Sequence, residues 1–196
     1  MRKAVFFDRD GTIIEEQNYL SDPKKVQLIP KAAESIGLLR SAGFKTILVS
    51  NQSGVARGYF GIRDVEQVNA RLQELLLKKK TKLDAIYFCP HYESGIIPEF
   101  SIACNCRKPC PGMALQAIKE QNLNPRNCYM VGDKLADIEF GQNFGAKWSF
   151  LVRTGHGATE SIPDNYVRAE YVPTVFEAAQ RILELERVKG HKGEFK

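Results

Sequence analysis

What this sequence lacks narrows it first. No stretch of its 196 residues approaches the roughly 18 to 20 consecutive apolar residues of a membrane-spanning helix, so no membrane partner is expected. The opening MRKAVFFDRDG loses its apolar character at Asp8, short of the roughly 7 to 15 apolar residues of an export signal, and a cytoplasmic location is expected. No internal repeat, low-complexity tract or coiled-coil heptad interrupts the chain, which favours one domain over 1–196 and a monomer. The nucleotide-binding fingerprints are missing too: there is no G-x-G-x-x-G, and no GKS or GKT follows the glycine of SNQSG at 50–54. Five cysteines are an odd number and, in a reducing compartment, do not form a disulfide framework.

Charge excludes less. The net charge of +5 permits an anionic substrate without selecting one. Part of it sits in KKKTK at 78–82 and in the tail from 187, which read as solubilising surface; neither interleaves aromatics, so a nucleic-acid partner is not expected.

What is present is an alternation of short apolar runs and helical periodicities. Strands are expected at 3–8, 44–54, 83–89, 126–133 and 146–155, with an edge strand in YVRAEYV; helices are expected at 30–43, 62–79, 112–122, 134–145 and 174–188. This order predicts an α/β fold, a Rossmann-like three-layer sandwich with a mainly parallel central sheet, no large cap domain, and an insert at 89–110. A parallel sheet gathers the carboxyl ends of its strands along one edge, where ligands bind. Asp8 with Asp10, Ser50 with Asn51, the insert after Cys89, and Asp133 with Asp137 all stand at such ends.

Two carboxylates spaced as Asp8 and Asp10 can divide labour, one attacking a phosphorus and the other handling a leaving-group proton, with Mg²⁺ suppressing their repulsion. Such pairs are commonly turn formers, and Asp133 alone could be a helix N-cap. Capping does not explain several aspartates on one edge. Asp8, Asp133 and a backbone carbonyl at Asp10 form an oxygen set suited to Mg²⁺. SNQSG, with Ser50, Asn51 and Ser53, offers donors to phosphate oxygens, and Lys108 offers a cation for a transferring phosphoryl group.

CPHYESGIIPEFSIACNCRKPCPG at 89–112 holds four of the five cysteines. Its compact pairs, CPH and CNC, give Cys89, His91, Cys104 and Cys106, a closed S₃N set of the kind structural Zn²⁺ accepts. Pinning that loop fixes Arg107 and Lys108, which follow the last ligand. Cys128 reads as a small buried hydrophobe, and Cys110 has no assigned role.

DRDGT, SNQSG, the CxH and CxC pairs, RKP and GDKLAD together resemble the haloacid dehalogenase-like phosphatases, and within them the D,D-heptose 1,7-bisphosphate phosphatase group with its histidinol-phosphatase relatives, from about residue 3 to 155. The resemblance implies that Asp8 is the nucleophile, that Asp10 protonates the leaving sugar oxygen and then activates water, and that Ser50 and Lys108 bind the phosphoryl group. It implies Mg²⁺ on Asp8, Asp133 and the Asp10 carbonyl, and substrate contacts from Asn51, Ser53, Arg107, Lys134 and the loop Glu16 to Tyr19 near the distal end. Asp137 would steady a cation without binding metal. The substrate implied is a small sugar bisphosphate losing its C7 phosphate. Histidinol phosphate, a DNA 3′-phosphate, and a non-enzymatic binding module on the same fold stay open at this point.

Overall fold

The computed structural model describes residues 1–190; the end of the basic tail, 191–196, lies outside the described residues. Six strands form one sheet: β1 (Arg2–Phe7), β2 (Lys45–Asn51), β3 (Ala85–Cys89), β4 (Leu123–Gly132), β5 (Trp148–Val152) and β6 (Ala169–Val172). Every neighbouring pair is parallel, in the order β3-β2-β1-β4-β5-β6. Five helices connect or cover them: α1 (Ala32–Ser41), α2 (Ile62–Lys78), α3 (Gly112–Gln121), α4 (Leu135–Asn143) and α5 (Val175–Gly190). No helix among the described residues is long and apolar enough to cross a membrane.

The period-two alternation of the strands divides the core between the sheet's two faces. Val5, Phe7, Leu48, Tyr129 and Val131 pack with residues of α1, α2 and α5, including Ile36, Leu72 and Ile182. Ala4, Phe6, Ile47, Val49 and Met130 pack with residues of α3 and α4, including Met113, Ala117 and Phe140. Burying alternate residues against two helical layers fixes the register of β1, because a one-residue slip would exchange the faces.

The strand order reverses direction between β1 and β4: the chain builds outward from β1 through β2 to β3, then returns to the other side of β1. That switch point opens a crevice beyond the carboxyl ends of β1 and β4, the place where Asp8 and Asp133 stand. The segment between β1 and α1 holds only a short 3₁₀ turn (Pro23–Lys25) and isolated bridges from Ile14 to Asp10 and Leu28, so it forms a small flap and not a cap domain.

Boundaries differ from the sequence expectation in instructive places. Lys31 adopts a left-handed conformation and α1 begins at Ala32, so Pro30 ends the preceding loop instead of opening the helix. Leu123 joins β4 early by pairing with Arg2 across a register shift, a long-range contact that local pattern does not encode. The strand expected through residue 155 stops at Val152, and Gly155–Ala158 turns as a 3₁₀ helix.

Candidate active site

The centre of the crevice is an ion network around Lys108. Its Nζ donates to Asp8 Oδ1 at 2.5 Å, to Asp137 Oδ1 at 2.6 Å and to the Val49 carbonyl at 2.9 Å. Asp8, Lys108, Asp133 and Asp137 are all buried. Burial disfavours the charged lysine, but two carboxylates outweigh it and hold the ammonium protonated far above the neutral range. The backbone of Lys108 is fixed as well: its N–H donates to Asn51 Oδ1, and Asn51 Nδ2 donates to its carbonyl, both at 3.0 Å. Asn51 therefore lines the cavity but spends its amide on positioning Lys108.

The carboxylates are not fully compensated. Asp8, Asp10, Asp133 and Asp137 make four, against the buried cations Arg9 and Lys108. Burial, then the proximity of Asp137 and Asp10 against the pull of Lys108, raises Asp8 to about 6; burial, then Asp8 and Asp137, raises Asp133 to about 8. Carboxyl oxygens of Asp8, Asp133 and Asp137 lie within 4.8 Å of one another. Asp133 Oδ2 accepts from the His156 N–H at 2.8 Å, whereas Oδ1 is buried without a partner. A buried acceptor left bare beside the Asp8 carboxylate suits a hard divalent cation, whereas both oxygens of Asp137 are taken up by Lys108 and the Lys134 N–H. Gly11 makes room for the Asp133 carboxylate: at φ +75°, a Cβ there would sit 2.3 Å from Asp133 Oδ2.

Asp10 is held differently. Arg9 Nε and one terminal nitrogen donate to its two oxygens at 3.0 and 3.2 Å, Gln52 Nε2 donates at 3.0 Å, and the same Gln52 nitrogen reaches Ser50 Oγ at 2.7 Å. The other arm of Arg9 donates to Asn69 Oδ1 on α2, also at 3.0 Å. Arg9, Gln52 and Asn69 escape a sequence reading: an arginine between two aspartates reads as a solvated turn residue, and only the covering α2 makes it buried. The GDKLAD stretch resolves differently from an N-cap at Asp133. Asp137 Oδ2 accepts from the Lys134 N–H at 3.0 Å and so caps α4, while its Oδ1 holds Lys108, the steadying of a cation expected for it.

Asp8, Asp10, Ser50, Asn51, Ser53, Arg107, Lys108, Lys134, Glu16 and Tyr19 all line one cavity of about 440 Å³, with Asp133 buried beneath it. Glu16 sits closer to the carboxylates than the distal position expected of it: its Oε2 is 3.4 Å from His156 Nε2, and it shares a cluster with Asp133 and His156. Arg57, Tyr92 and His156 line the cavity without having been expected there.

The cysteine insert closes on itself beside this cavity. Ligand atoms of Cys89, His91, Cys104 and Cys106 lie within 4.8 Å of one another. Cys89 Sγ is 3.5 Å from Cys104 Sγ and 2.8 Å from Cys106 Sγ; His91 Nδ1 is 3.2 Å from Cys106 Sγ. Metal–sulfur bonds of about 2.3 Å set at tetrahedral angles separate sulfur ligands by a little under 4 Å, so Cys89 and Cys106 would move apart by about 1 Å to share one tetrahedral ion. Cys110 stands outside this cluster, and Cys128 is buried in β4 among apolar residues.

A HAD-hydrolase-like family model matches residues 105–179. The chain is 41% identical over 172 residues to a D-glycero-β-D-manno-heptose-1,7-bisphosphate 7-phosphatase of Pasteurella multocida, covering 88% of this chain and 91% of that one. It is 38% identical over 158 residues to a D-glycero-α-D-manno-heptose-1,7-bisphosphate 7-phosphatase of Photorhabdus laumondii, covering 81% and 86%. Among solved structures, the D,D-heptose 1,7-bisphosphate phosphatase of B. bronchiseptica complexed with magnesium and phosphate superposes with a TM-score of 0.79 at 26% identity, covering 94% of this chain and 99% of that one.

Proposed function

The chain belongs to the haloacid dehalogenase-like phosphatases, close to the D,D-heptose 1,7-bisphosphate 7-phosphatases, and from that membership we propose that it hydrolyses the C7 phosphate of D-glycero-D-manno-heptose 1,7-bisphosphate to the 1-phosphate. The observation that carries this reading is the Lys108 ammonium clamped between Asp8 and Asp137, with Asp10 set by Arg9 and Gln52 in the same cavity.

Asp8 attacks the phosphorus, the P–O bond to C7 breaks, and an aspartyl-phosphate forms. Asp10 gives its proton to the departing sugar oxygen, which leaves it ionised, then takes a proton from the water that cleaves the aspartyl-phosphate, so the two steps together restore it. For the first step Asp10 must hold a proton, and its three donors from Arg9 and Gln52 must loosen as the leaving oxygen arrives. Lys108 keeps Asp8 ionised against burial and faces the equatorial oxygens as charge builds on them. Ser50, already bonded to Gln52, adds a hydroxyl to the same oxygens, with Ser53 beside it on the cavity wall. Asp8, Asp133 and the Asp10 carbonyl would hold Mg²⁺, which would supply Lewis-acid charge neutralisation there. Arg107 and Lys134 put positive charge on the cavity wall, as a substrate with a second phosphate requires.

In the same reading Cys89, His91, Cys104 and Cys106 hold a structural Zn²⁺ that stiffens the loop carrying Arg107 and Lys108. Location in the cytoplasm, a single chain as the active unit, and the absence of a nucleic-acid partner belong to this reading as well.

A substrate panel tests it. Both anomers of the heptose bisphosphate, histidinol phosphate and a 3′-phosphorylated oligonucleotide are compared by kcat/KM with Mg²⁺ present. A heptose bisphosphate is expected to lead; a clear lead for histidinol phosphate or the oligonucleotide would overturn the assignment.

A further inference from the structure

The cavity holds one more cation than the chemistry above uses. Arg57 leaves the loop after β2 and lines the same cavity as Asp8. Its guanidinium carbon lies 4.1 Å from the ring centre of Tyr92 and 6.0 Å from that of Tyr19. Its Nε is buried with no hydrogen-bond partner, and among the described residues no carboxylate pairs with it. Arg107 stacks on Tyr92 too, at 5.1 Å, so one phenol ring carries two guanidinium groups.

Two cations on one ring repel each other, and the attraction of the ring face offsets only part of that. An anion between or beside them removes the repulsion. A guanidinium over an aromatic ring and without a carboxylate partner has charge and terminal N–H donors to offer a phosphate.

The placement of both arginines is built into the cysteine insert. The N–H groups of Ile96 and Ile97 donate to the Ala56 carbonyl at 2.8 and 3.0 Å, docking the residue before Arg57 onto the insert. Gly95 permits this approach, since a Cβ there would lie 2.5 Å from the same carbonyl oxygen. Arg107 in turn donates to the His91 carbonyl at 3.3 Å, next to Tyr92.

We propose that Arg57, stacked on Tyr92, is a specificity-determining residue that grips the phosphate that is not transferred, sharing it with Arg107. This rests on the bisphosphate reading above, and it assigns to the loop after β2 a role in choosing bisphosphates over monophosphates.

The test compares kcat/KM on heptose 1,7-bisphosphate with kcat/KM on heptose 7-phosphate. In Arg57→Gln the ratio is expected to fall about tenfold or more, through KM for the bisphosphate, because a charge-assisted contact to its second phosphate is lost. Arg57→Lys keeps the charge and loses the fork, and an intermediate ratio is expected; Tyr92→Leu should also lower it. A preference in the wild type that survives unchanged in Arg57→Gln and Arg57→Lys overturns the proposal alone, as would an equal fall on both substrates, the mark of a merely structural arginine. A wild type that does not prefer the bisphosphate overturns the reading beneath it and this proposal together.

Discussion

Lys108 is the residue on which the site's electrostatics turn, because it is buried and bonded to Asp8, Asp137 and the Val49 carbonyl at once. Asp137→Asn leaves its shape and weakens the charge that holds the ammonium, so Lys108 drifts toward Asp8. We expect kcat to fall up to about a hundredfold, as a displacement near 1 Å can produce, with KM moving much less, in steady-state kinetics. A KM effect of the same size would place Asp137 in substrate binding. Asp8→Asn removes the proposed nucleophile with near-identical volume; turnover should vanish while the circular dichroism spectrum and thermal melt remain those of a folded protein. Near-wild-type activity in that variant would remove Asp8 from its assigned role. Arg9 and Gln52 belong to this scale as positioning residues: they touch Asp10 and were hidden in the sequence because Arg9 is anchored by Asn69 on α2 and Gln52 reaches Asp10 from the loop after β2.

Between elements, Asp84 performs the corresponding structural task at the far end of the sheet. Its carboxylate accepts from Arg40 at the end of α1, and from Lys45 and the Thr46 N–H of β2, and although burial opposes it, these hydrogen bonds hold Asp84 down at about 2. A carboxyl lowered by folding stabilises the fold above its unfolded value near 4, and that contribution disappears as pH falls through about 2. Asp84→Asn should therefore lower stability by about 1 to 3 kcal/mol at neutral pH. The gap to wild type should close between about pH 4 and pH 2 in chemical denaturation. A constant gap across that range would argue against the charge as its source. The cysteine insert is the second element-scale device. Elemental analysis after removal of loosely held metal should return about one Zn per chain. Stripping it should lower the melting temperature and raise KM, since Arg107 and Lys108 follow Cys106 directly. An unchanged melt in metal-free protein would count against the zinc.

For the whole molecule, the site is a seam where separate chain segments must close on one another. Gly11 sits in the loop after β1, yet its missing Cβ leaves room for Asp133 after β4, and its carbonyl accepts from Thr154 Oγ1 after β5 at 2.5 Å. Gly11→Ala should lose more than about 2 kcal/mol of stability, combining strain at positive φ with the clash. Activity should fall with it, measured on protein shown to be folded; full activity would mean the seam yields more easily than its packing implies. The closing order of strands was not legible beforehand. Local periodicity announced the strands and helices that form, but not that β4 would return beside β1, because strand pairing is a long-range choice.

The sequence by itself determined which chemistry was on offer. Alternating apolar patterns specified a parallel α/β layer, and in such a layer Asp8, Ser50, Cys89 and Asp133 must arrive at one edge, since every strand points the same way. The compact CPH and CNC pairs likewise offered four metal-capable side chains, and the fold brings their ligand atoms within 4.8 Å of one another. Tertiary structure alone decided which side chains serve and which support: that Asn51 anchors Lys108, that Asp137 both caps α4 and holds the ammonium, and that Arg9 is buried under α2. It alone brought Arg57 over Tyr92. The reason is that burial and hydrogen-bond partnership depend on what packs against a residue from distant parts of the chain, whereas strand and helix periodicity are written in neighbouring residues.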